Sequence, residues 1–294
     1  MFVIIGIVVV FGAVMGGYLM EHGSLAVLVQ PAELIIIGGA AIGTLLIGNP
    51  PHILKKVAGG VGGVFGSSKF NKQRYLETLK MMYEFFARAR KEGLVALEKD
   101  ADEPDKSAIF SKYPAFLKDH HTLSFVCDTF RMAASGGVEP FDADQMMELD
   151  MDTHHHEAAQ PIAALSTMAD SLPGLGIVAA VLGVVITMGA LGGPPEEIGH
   201  KVAAALVGTF LGILLCYGLI GPIAVNMTKA SEEEQAYYHV LRVLIVAFMK
   251  GAPPPLAMEY GRRAIPGHVR PSFQEAENYS KGKTAEPAAP AAAA

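Results

Sequence analysis

SLPGLGIVAAVLGVVITMGALGG, at residues 171–193, is a run of 23 residues without a single charged side chain. A helix needs about 20 mostly apolar residues to cross the hydrocarbon core of a bilayer. A second run of this kind, VAAALVGTFLGILLCYGLIGPIAVNM, follows at residues 202–227 after a short loop. The two runs therefore predict a pair of neighbouring membrane-spanning helices.

Two further apolar runs lie near the N-terminus, at residues 1–20 and 34–50, the second beginning near Pro31. The first lacks the basic start and the cleavage site of a signal peptide, so we expect it to be retained. Composition also indicates a membrane protein, because 51% of the 294 residues are hydrophobic and only 18% are charged, against about a quarter charged in soluble domains. We predict an all-α protein with four transmembrane helices.

Lysine and arginine predict the direction of these helices, because basic residues stay on the cytoplasmic side. Of 23 such residues, 14 lie in segment 51–170 and 8 in segment 228–294, whereas the loop at 194–201 holds only Lys201 and the loop at 21–30 holds none. We therefore expect a multi-pass membrane protein with both termini in the cytoplasm.

The predicted organisation has four parts. Residues 1–50 form transmembrane helices 1 and 2, and residues 51–170 form a helical cytoplasmic domain. Residues 171–227 form transmembrane helices 3 and 4, and residues 228–294 form a cytoplasmic helix with a disordered Ala/Pro tail.

The cytoplasmic domain opens with a predicted helix at residues 71–92. Its apolar side chains recur at three- and four-residue steps and share one face: Leu76, Leu79, Tyr83 and Phe86. Gly93 interrupts this pattern, and a helical pattern resumes at Leu94. The dense mixed charge between Arg88 and Asp100 is typical of a solvated face.

The four predicted spans contain no Asp, Glu, Lys, Arg or His, and Glu33 and Asp170 lie near the membrane edges. A proton carrier needs a titratable group inside the membrane. The chain therefore either moves no ions or works with a carboxylate that a partner supplies. The main polar side chains at depth, whose hydroxyls we expect to bond back to their own helices, are Thr44, Thr187 and Thr209.

Glycine pairs at four-residue spacing recur in the predicted spans. They are Gly12 with Gly16, Gly39 with Gly43, and Gly208 with Gly212. Such pairs let helix backbones approach closely in lipid. Packing within the chain and packing against other subunits both fit this pattern.

Two prolines lie in the third and fourth spans. Pro173 is predicted to stand at the start of the third helix, where first-turn amides have no partner to lose. Pro222 lies inside the fourth span beside Gly221 and removes a backbone hydrogen bond, which permits a kink. A static bend and a moving hinge both fit the sequence at Pro222.

Three consecutive histidines, His154–His156, follow an acidic stretch at 139–152 that predicts another helix. Neighbouring residues on a helix point about 100° apart, so one helix cannot converge all three on a metal. A polar helix next to the membrane is favoured over a metal site. The chain has no phosphate-binding loop, nucleophile elbow or zinc motif, its two cysteines are far apart, and its net charge is −6. We predict no enzyme activity, no metal or cofactor, and no nucleic-acid partner.

Several segments carry a resemblance to a known family. They are SLPGLGIVAAVLGVV in the third span, VGTFLGILLCYGLIGPIA in the fourth, ARARKEGLVALEKD at 87–100, IFSKYP at 109–114, and APPPLAMEYGRR, followed by RPSF, in the tail. These segments resemble the MotA-like stator subunits of the bacterial flagellar motor, which belong to the MotA/TolQ/ExbB proton channel family. The likeness covers nearly the whole chain.

The resemblance implies an assembly. MotA-like chains form a ring of five copies in membrane lipid around two copies of a MotB-like partner, a single-span subunit anchored to peptidoglycan. The partner supplies the membrane Asp that takes up the ion, which fills the gap in the spans of this chain. The complex couples proton flow to torque on the rotor, where it meets the switch protein FliG.

The resemblance also implies residues that couple the ion channel to torque. Pro173 and Pro222 match the two functional prolines of the family, and Thr209 matches a threonine near the partner carboxylate. Ala180 stands where sodium-driven relatives carry a threonine. Because Ala180 offers no side-chain oxygen to replace the water around Na⁺, we expect the coupling ion to be H⁺.

The charged residues of the family that face the rotor match Arg90, Glu98 and Asp150. Two other functions remain open on the residues alone. ExbB- and TolQ-like relatives energise outer-membrane processes, but they have three spans, so the four-span layout and the motif around Arg90 and Glu98 favour the flagellar branch. A passive membrane scaffold would also lack a membrane charge, and a single-span partner with a membrane Asp would exclude it.

Overall fold

The structure, a computed structural model, describes residues 2–189 and 191–282, and these form helices and turns without a strand. In chain order the α-helices are α1 (Phe2–Met20), α2 (Leu25–Leu28), α3 (Pro31–Gly48), α4 (Pro51–Gly63), α5 (Lys72–Glu92), α6 (Val95–Asp102), α7 (Pro114–Leu117), α8 (His120–Ser135), α9 (Pro140–Met188), α10 (Pro195–Leu215), α11 (Gly221–Met249), α12 (Pro254–Ala264) and α13 (Phe273–Ser280). Short 3₁₀ turns lie at Pro104–Lys106 and Phe110–Lys112, and a π-helical turn at Cys216–Ile220 joins α10 to α11. The all-α prediction is confirmed, and most of the predicted disordered tail, residues 283–294, lies outside the described residues.

The helices group into two compact units. The membrane unit consists of the chain up to Ser67 together with His156–Ser231, and the polar unit consists of Ser68–His155 together with the chain from Glu232 onward. By length and composition, four helical stretches of the described residues can cross a membrane, which confirms the predicted number. They lie in Phe2–Met20, Leu25–Gly48, Pro140–Met188 and Pro195–Met249.

The membrane unit is built around α3, α9 and α10. An apolar cluster joins Ile37 and Ala41 of α3 to Leu172 of α9 and to Cys216. Helix α1 is apolar on every side, and none of its residues is buried within the chain. A helix that is apolar all round is typical of a membrane span.

The polar unit has a core of aromatic and aliphatic side chains, mainly from α5, α8 and α11. Helix α5 begins after Asn71, whose side chain accepts a hydrogen bond of 2.9 Å from a first-turn backbone N–H, as expected of an N-cap. The predicted apolar face of α5 is confirmed, because Leu76, Leu79 and Phe86 are buried and Tyr83 packs against the same core.

Gly93 separates α5 from α6, as predicted. Its φ of 86° lies in a region that residues with a β-carbon rarely adopt. The chain then turns back into α6, which packs against α8, where Arg131 donates hydrogen bonds to the backbone oxygen of Ala101 and to Asp102. The segment 88–102 is therefore held in a defined position on the polar unit.

The prediction that Pro173 stands at the start of the third helix was wrong. Helix α9 runs without a break from Pro140 to Met188, so Pro173 lies inside the helix, as does Pro161. A proline removes its own amide donor and disturbs one helical turn. The helix continues through both prolines because packed neighbours hold it, with Ala169 and Leu172 buried between α3 and Cys216.

Candidate functional site

Helices α9 and α10 meet along a line of small residues, the α9–α10 seam. A β-carbon added to Gly176 would lie 2.8 Å from the carbonyl oxygen of Gly208, and one added to Gly183 would lie 2.6 Å from the β-carbon of Ala205. Small residues allow backbones to approach this closely in lipid. The close packing predicted at Gly208 and Gly212 is confirmed.

The other two predicted glycine pairs are not packed against another part of the described chain. No atom of the described residues lies within 4 Å of a β-carbon added to Gly12, Gly16, Gly39 or Gly43. Packing of these faces against other subunits stays a prediction.

Three of the four predicted channel residues lie at the α9–α10 seam. The β-carbon position of Gly208 is 3.4 Å from the backbone nitrogen of Ala180, and that of Gly176 is 3.3 Å from the α-carbon of Thr209. Pro173 precedes Gly176 by about one helical turn. The structure therefore brings Pro173, Ala180 and Thr209 onto one stretch of the helix pair.

Pro222 lies apart from these residues, about 20 Å further along the helix than Thr209 at 1.5 Å per residue. The π-helical turn at Cys216–Ile220 stands directly before it and is closed by a hydrogen bond from the N–H of Gly221 to the carbonyl oxygen of Cys216. A β-carbon on Gly221 would lie 2.7 Å from that oxygen, and proline has no amide hydrogen to donate. The weak point predicted in this helix takes the form of a π-helical turn, and its movement stays a prediction.

Two of the predicted threonine hydroxyls bond back to their own helices. Thr44 donates to the carbonyl oxygen of Ala41 at 2.8 Å, and Thr187 donates to that of Gly183 at 2.8 Å. Such bonds satisfy a hydroxyl inside the membrane without a partner from another helix.

Glu33 is a candidate that the sequence analysis placed outside the spans. It lies in the first turn of α3 and is only 6% exposed, so helix α3 includes and buries an acidic residue that the sequence analysis placed near the membrane edge. A β-carbon added to Gly208 would lie 2.7 Å from Glu33 Oε2, which puts the carboxyl group against the α9–α10 seam. The helix start at Pro31 was the available signal, because it places Glu33 within the helix.

The three predicted rotor-facing residues are all exposed on the polar unit. Arg90 lies in the last turn of α5, Glu98 in the first turn of α6, and Asp150 in α9. None of them makes a hydrogen bond or an ion pair with another residue of the described chain. Their charges are therefore available to a partner surface.

Neighbouring charges are used inside the polar unit instead. Arg88 donates hydrogen bonds to Glu92 at 3.0 Å and to Asp100 at 2.7 Å, and Asp100 is 5% exposed. The hydrogen bond to Glu92, together with the nearby charge of Asp100, raises the pKa of the Arg88 guanidinium. The segment predicted as one solvated face thus divides into an internal ion-pair network and a set of free charges.

The acidic stretch 139–152, apart from Glu139, and the three histidines lie in α9, which confirms the predicted helix. The ring of His154 packs against that of His121 with 3.7 Å between centroids, and His154 Nε2 lies 3.6 Å from Glu234 Oε2. Burial and the charge of His154 lower the pKa of His121. Within the described residues, no three His, Cys, Asp or Glu side chains form a group that could hold a metal ion.

Two family models match the chain. Residues 4–93 match the model for the N-terminal part of motility protein A, and residues 118–239 match the model for the MotA/TolQ/ExbB proton channel family. Motility protein A of Escherichia coli is 40% identical to this chain over 279 residues, which is 95% of each of the two chains.

Two solved structures have a similar fold. The structure of C. jejuni MotAB matches with a TM-score of 0.75 and 19% identity, over 92% of this chain and 98% of that one. The flagellar MotAB stator complex from Bacillus subtilis matches with a TM-score of 0.70 and 23% identity, over 87% of this chain and 92% of that one. Identities at this level show the fold alone. The family models and the E. coli relative show more, and the chain belongs to the MotA/TolQ/ExbB proton channel family.

Proposed function

We propose that this chain is a stator subunit of the bacterial flagellar motor and that it forms, with a MotB-like partner, a transmembrane proton channel coupled to torque. The observation that carries the proposal is the 40% identity to Motility protein A of E. coli over 95% of both chains. The geometry fits the same function, because the membrane unit holds a close-packed helix pair and the polar unit presents exposed charges that make no hydrogen bond or ion pair with another described residue.

In the proposed assembly, five copies of this chain surround two copies of a single-span, peptidoglycan-anchored partner in the inner membrane. Both termini of this chain lie in the cytoplasm. The open glycine faces at Gly12, Gly16, Gly39 and Gly43 support contacts between chains, and the unburied apolar surface of α1 supports contact with lipid.

The proposed ion path runs past Pro173, Ala180 and Thr209, where the membrane Asp of the partner takes up the ion. One charge that crosses 100 mV releases about 2.3 kcal/mol. Neutralisation of the Asp changes which helix faces can pack against it, and the ring steps around the partner. The methyl side chain of Ala180 favours H⁺ as the coupling ion, because Na⁺ needs several oxygen ligands.

Torque passes to the rotor protein FliG through Arg90, Glu98 and Asp150. Exposed ion pairs are worth up to about 1 kcal/mol, which is less than the energy of one ion, so such contacts can break and form again at each step. The absence of ion pairs from these three residues to the rest of the described chain supports this role.

The test is complementation of motile cells that lack their own stator subunits. With its partner, the chain should restore swimming at a speed that does not depend on external sodium and that is lost when a protonophore is added. The chain alone should restore nothing and conduct no ions. If the assembled complex restores no rotation, the stator function is wrong. If the swimming speed rises steeply with external sodium, the assignment of H⁺ as the coupling ion is wrong. In that case Ala180→Thr has no use as a first step towards sodium coupling.

A further inference from the structure

We infer that Glu33 is a proton-transfer residue on the ion path, which accepts protons from the outer aqueous side and passes them to the carboxylate that the partner holds in the membrane. The inference deepens the proposed function and rests on it, because it requires that partner. The chain itself then contributes a titratable group to the channel.

The first observation is that the Glu33 side chain is buried in the space left by the missing side chain of Gly208. Glu33 is 6% exposed, and a β-carbon added to Gly208 would lie 2.7 Å from its Oε2 atom and 3.1 Å from the β-carbon of Ala179. Any side chain larger than hydrogen at position 208 would displace the carboxyl group. The space over Gly208 is therefore occupied by the Glu33 carboxyl group.

The second observation is that Glu33 Oε2 has no hydrogen-bond partner among residues 2–189 and 191–282. Asp100, which is also buried, accepts a hydrogen bond of 2.7 Å from Arg88. Buried charges in proteins are normally paired in this way. Ionisable residues that face the interior of a helix bundle in a membrane typically mark a path for ions.

A role in starting the helix does not account for this position. An acidic residue in the first turn stabilises a helix through the helix dipole. Burial of a carboxyl oxygen without a partner costs more than this interaction contributes, even when the group is neutral. An exposed Glu would give the same benefit at position 33 without that cost.

The third observation is the depth of the carboxyl group. Gly208 lies about 9 Å past Val202, where the apolar run of α10 begins, at 1.5 Å per residue. The same β-carbon position on Gly208 that meets Glu33 lies 3.4 Å from the backbone nitrogen of Ala180, and Thr209 is the next residue. Glu33 therefore reaches from the outer end of α3 to the level of the proposed channel residues.

The proposed transfer moves only protons. A hydronium ion at the outer face gives its proton to a carboxylate oxygen of Glu33, so one O–H bond breaks, one forms, and water leaves. The Glu33 carboxyl group then gives that proton to the carboxylate of the partner, directly or through a water molecule. Glu33 returns to its carboxylate form, and the partner becomes neutral.

The experiment uses the complete complex in cells without their own stator subunits and compares variants of this chain. Glu33→Gln keeps the size of the side chain but takes up no proton, Glu33→Asp keeps a carboxyl group, and Gly208→Ala displaces it. Glu21→Gln is the matched control, because it removes an exposed carboxyl group from the turn after α1. Rotation speed at low load is measured between about pH 6 and pH 8 outside the cell, together with the amount of complex in the membrane.

We expect Glu33→Gln to lower the low-load speed at least about twofold and to flatten its dependence on external pH, at a normal amount of complex. Gly208→Ala should resemble Glu33→Gln, Glu33→Asp should recover part of the speed with a shifted pH profile, and Glu21→Gln should match the unmodified chain.

An unchanged speed and pH profile in Glu33→Gln would overturn the inference. The same holds if Glu33→Gln lowers the amount of complex while Glu33→Asp keeps the normal pH profile, because that result indicates a packing role. Both outcomes are compatible with the proposed stator function. A complex that gives no rotation with unmodified Glu33 overturns the proposed function and this inference with it.

Discussion

Single charged residues on the polar unit have different roles although they are close in sequence. Arg88 and Arg90 are two positions apart on α5, so their side chains point to different sides of the helix. Arg88 bonds to Glu92 and to the buried carboxylate of Asp100, whereas Arg90 is exposed and has no ion pair within the described chain. One arginine holds the fold together, and the other is free to contact a partner.

The two arginines give the first prediction. We expect Arg90→Glu to impair motility at an unchanged amount of protein in the membrane, because Arg90 stabilises nothing within the chain. A charge reversal on the rotor protein should restore part of the loss. The measurements are swarm diameter in soft agar and immunoblots of isolated membranes.

Arg88→Ala is the contrasting variant. It leaves the buried Asp100 carboxylate without its partner, which costs about 1–3 kcal/mol of unfolding free energy. We expect Arg88→Ala to lower the amount of protein in the membrane, so that its first effect is on folding and not on torque. If Arg90→Glu lost as much protein as Arg88→Ala, a charge-based role for Arg90 would be wrong.

Glu259 gives a prediction on the pH dependence of stability. Hydrogen bonds from Arg262 and Arg263 hold the pKa of Glu259 at about 2, below its ordinary value of 4.5. Since the pKa is lowered in the folded state, the ion pairs stabilise the fold above about pH 4.5, and this stability is lost as pH falls towards 2. Glu259→Gln should lower the melting temperature of the purified protein by about 2 °C at pH 7, and the difference should shrink between about pH 4.5 and pH 2.

Glu277→Gln is the control for that measurement, because Glu277 pairs with Lys281 on an exposed helix face. We expect a smaller change in melting temperature at pH 7 for this variant. A difference for Glu259→Gln that stays constant down to pH 2 would contradict the ion-pair explanation.

At the scale of helices, the α9–α10 seam is a close contact between two helices of the membrane unit. Two of its glycines face backbone atoms: the β-carbon position of Gly176 lies 2.8 Å from the carbonyl oxygen of Gly208, and that of Gly212 lies 2.5 Å from the carbonyl oxygen of Leu172. Backbone atoms cannot move aside as the end of a side chain can. The distance between α9 and α10 is therefore fixed at these positions. Such a pair is suited to hold Ala180 and Thr209 in a fixed relation.

Two glycines on α9 test this packing. Gly176→Ala should reduce stability by about 1–3 kcal/mol through overpacking and reduce the amount of protein in the membrane. Gly174→Ala lies two residues away, where a β-carbon would have no described atom within 4 Å apart from the adjacent backbone of its own helix. This variant should be neutral or slightly stabilising, because alanine favours a helix over glycine. Thermal unfolding in detergent and membrane immunoblots measure both effects, and equal effects of the two variants would argue against the seam.

The π-helical turn before Pro222 supports another prediction for a helix. Pro222→Ala should leave folding intact but reduce rotation under load, if the turn moves during the ion cycle. Pro195→Ala removes a proline at the start of α10, where the amide has no helical partner, and should change nothing. Swimming in viscous medium measures the effect, and an unchanged speed of Pro222→Ala would make the turn a static bend.

How far the helices follow from the sequence can be judged on α3 and α9. The apolar runs predicted the membrane helices, because an uncharged stretch of this length has few other stable forms. The continuous course of α9 was not predicted, since a local reading takes Pro161 and Pro173 as possible boundaries, whereas packing of Leu172 against Cys216 holds the helix through them. Such packing joins residues that are distant in sequence, and periodicity does not report it.

The same limit applies to the candidate sites. Pro173, Ala180 and Thr209 were chosen through family resemblance, and their shared position follows from glycines on two helices. The burial of Glu33 depends on Gly208, which is far away in the chain. Composition near residue 33 shows only an acid next to an apolar run, and this pattern also fits an exposed helix start.

For the whole molecule, the distribution of lysine and arginine predicts how the chain is inserted. Reporter enzymes fused at residues 25 and 196 should be periplasmic, and reporters at residues 120 and 280 should be cytoplasmic. The predicted parts 1–50, 51–170, 171–227 and 228–294 depend on the same arrangement. A cytoplasmic signal from residue 25 would reverse it, and the outer access proposed for Glu33 would then be lost.

The π-helical turn at Cys216–Ile220 has a consequence for the gene. A π-helical turn holds about one residue more than an α-helical turn, and one residue rotates a helix by about 100°. At the first residue of the turn, Cys216 packs with Ile37 of α3, and after the turn Ile223 and Met227 pack against α4. Loss of a single codon here would restore a regular α-helix and turn Ile223 and Met227 away from α4, even if every remaining amino acid were unchanged. We therefore expect the deletion of one codon between Cys216 and Ile223 to be more harmful than a conservative substitution there.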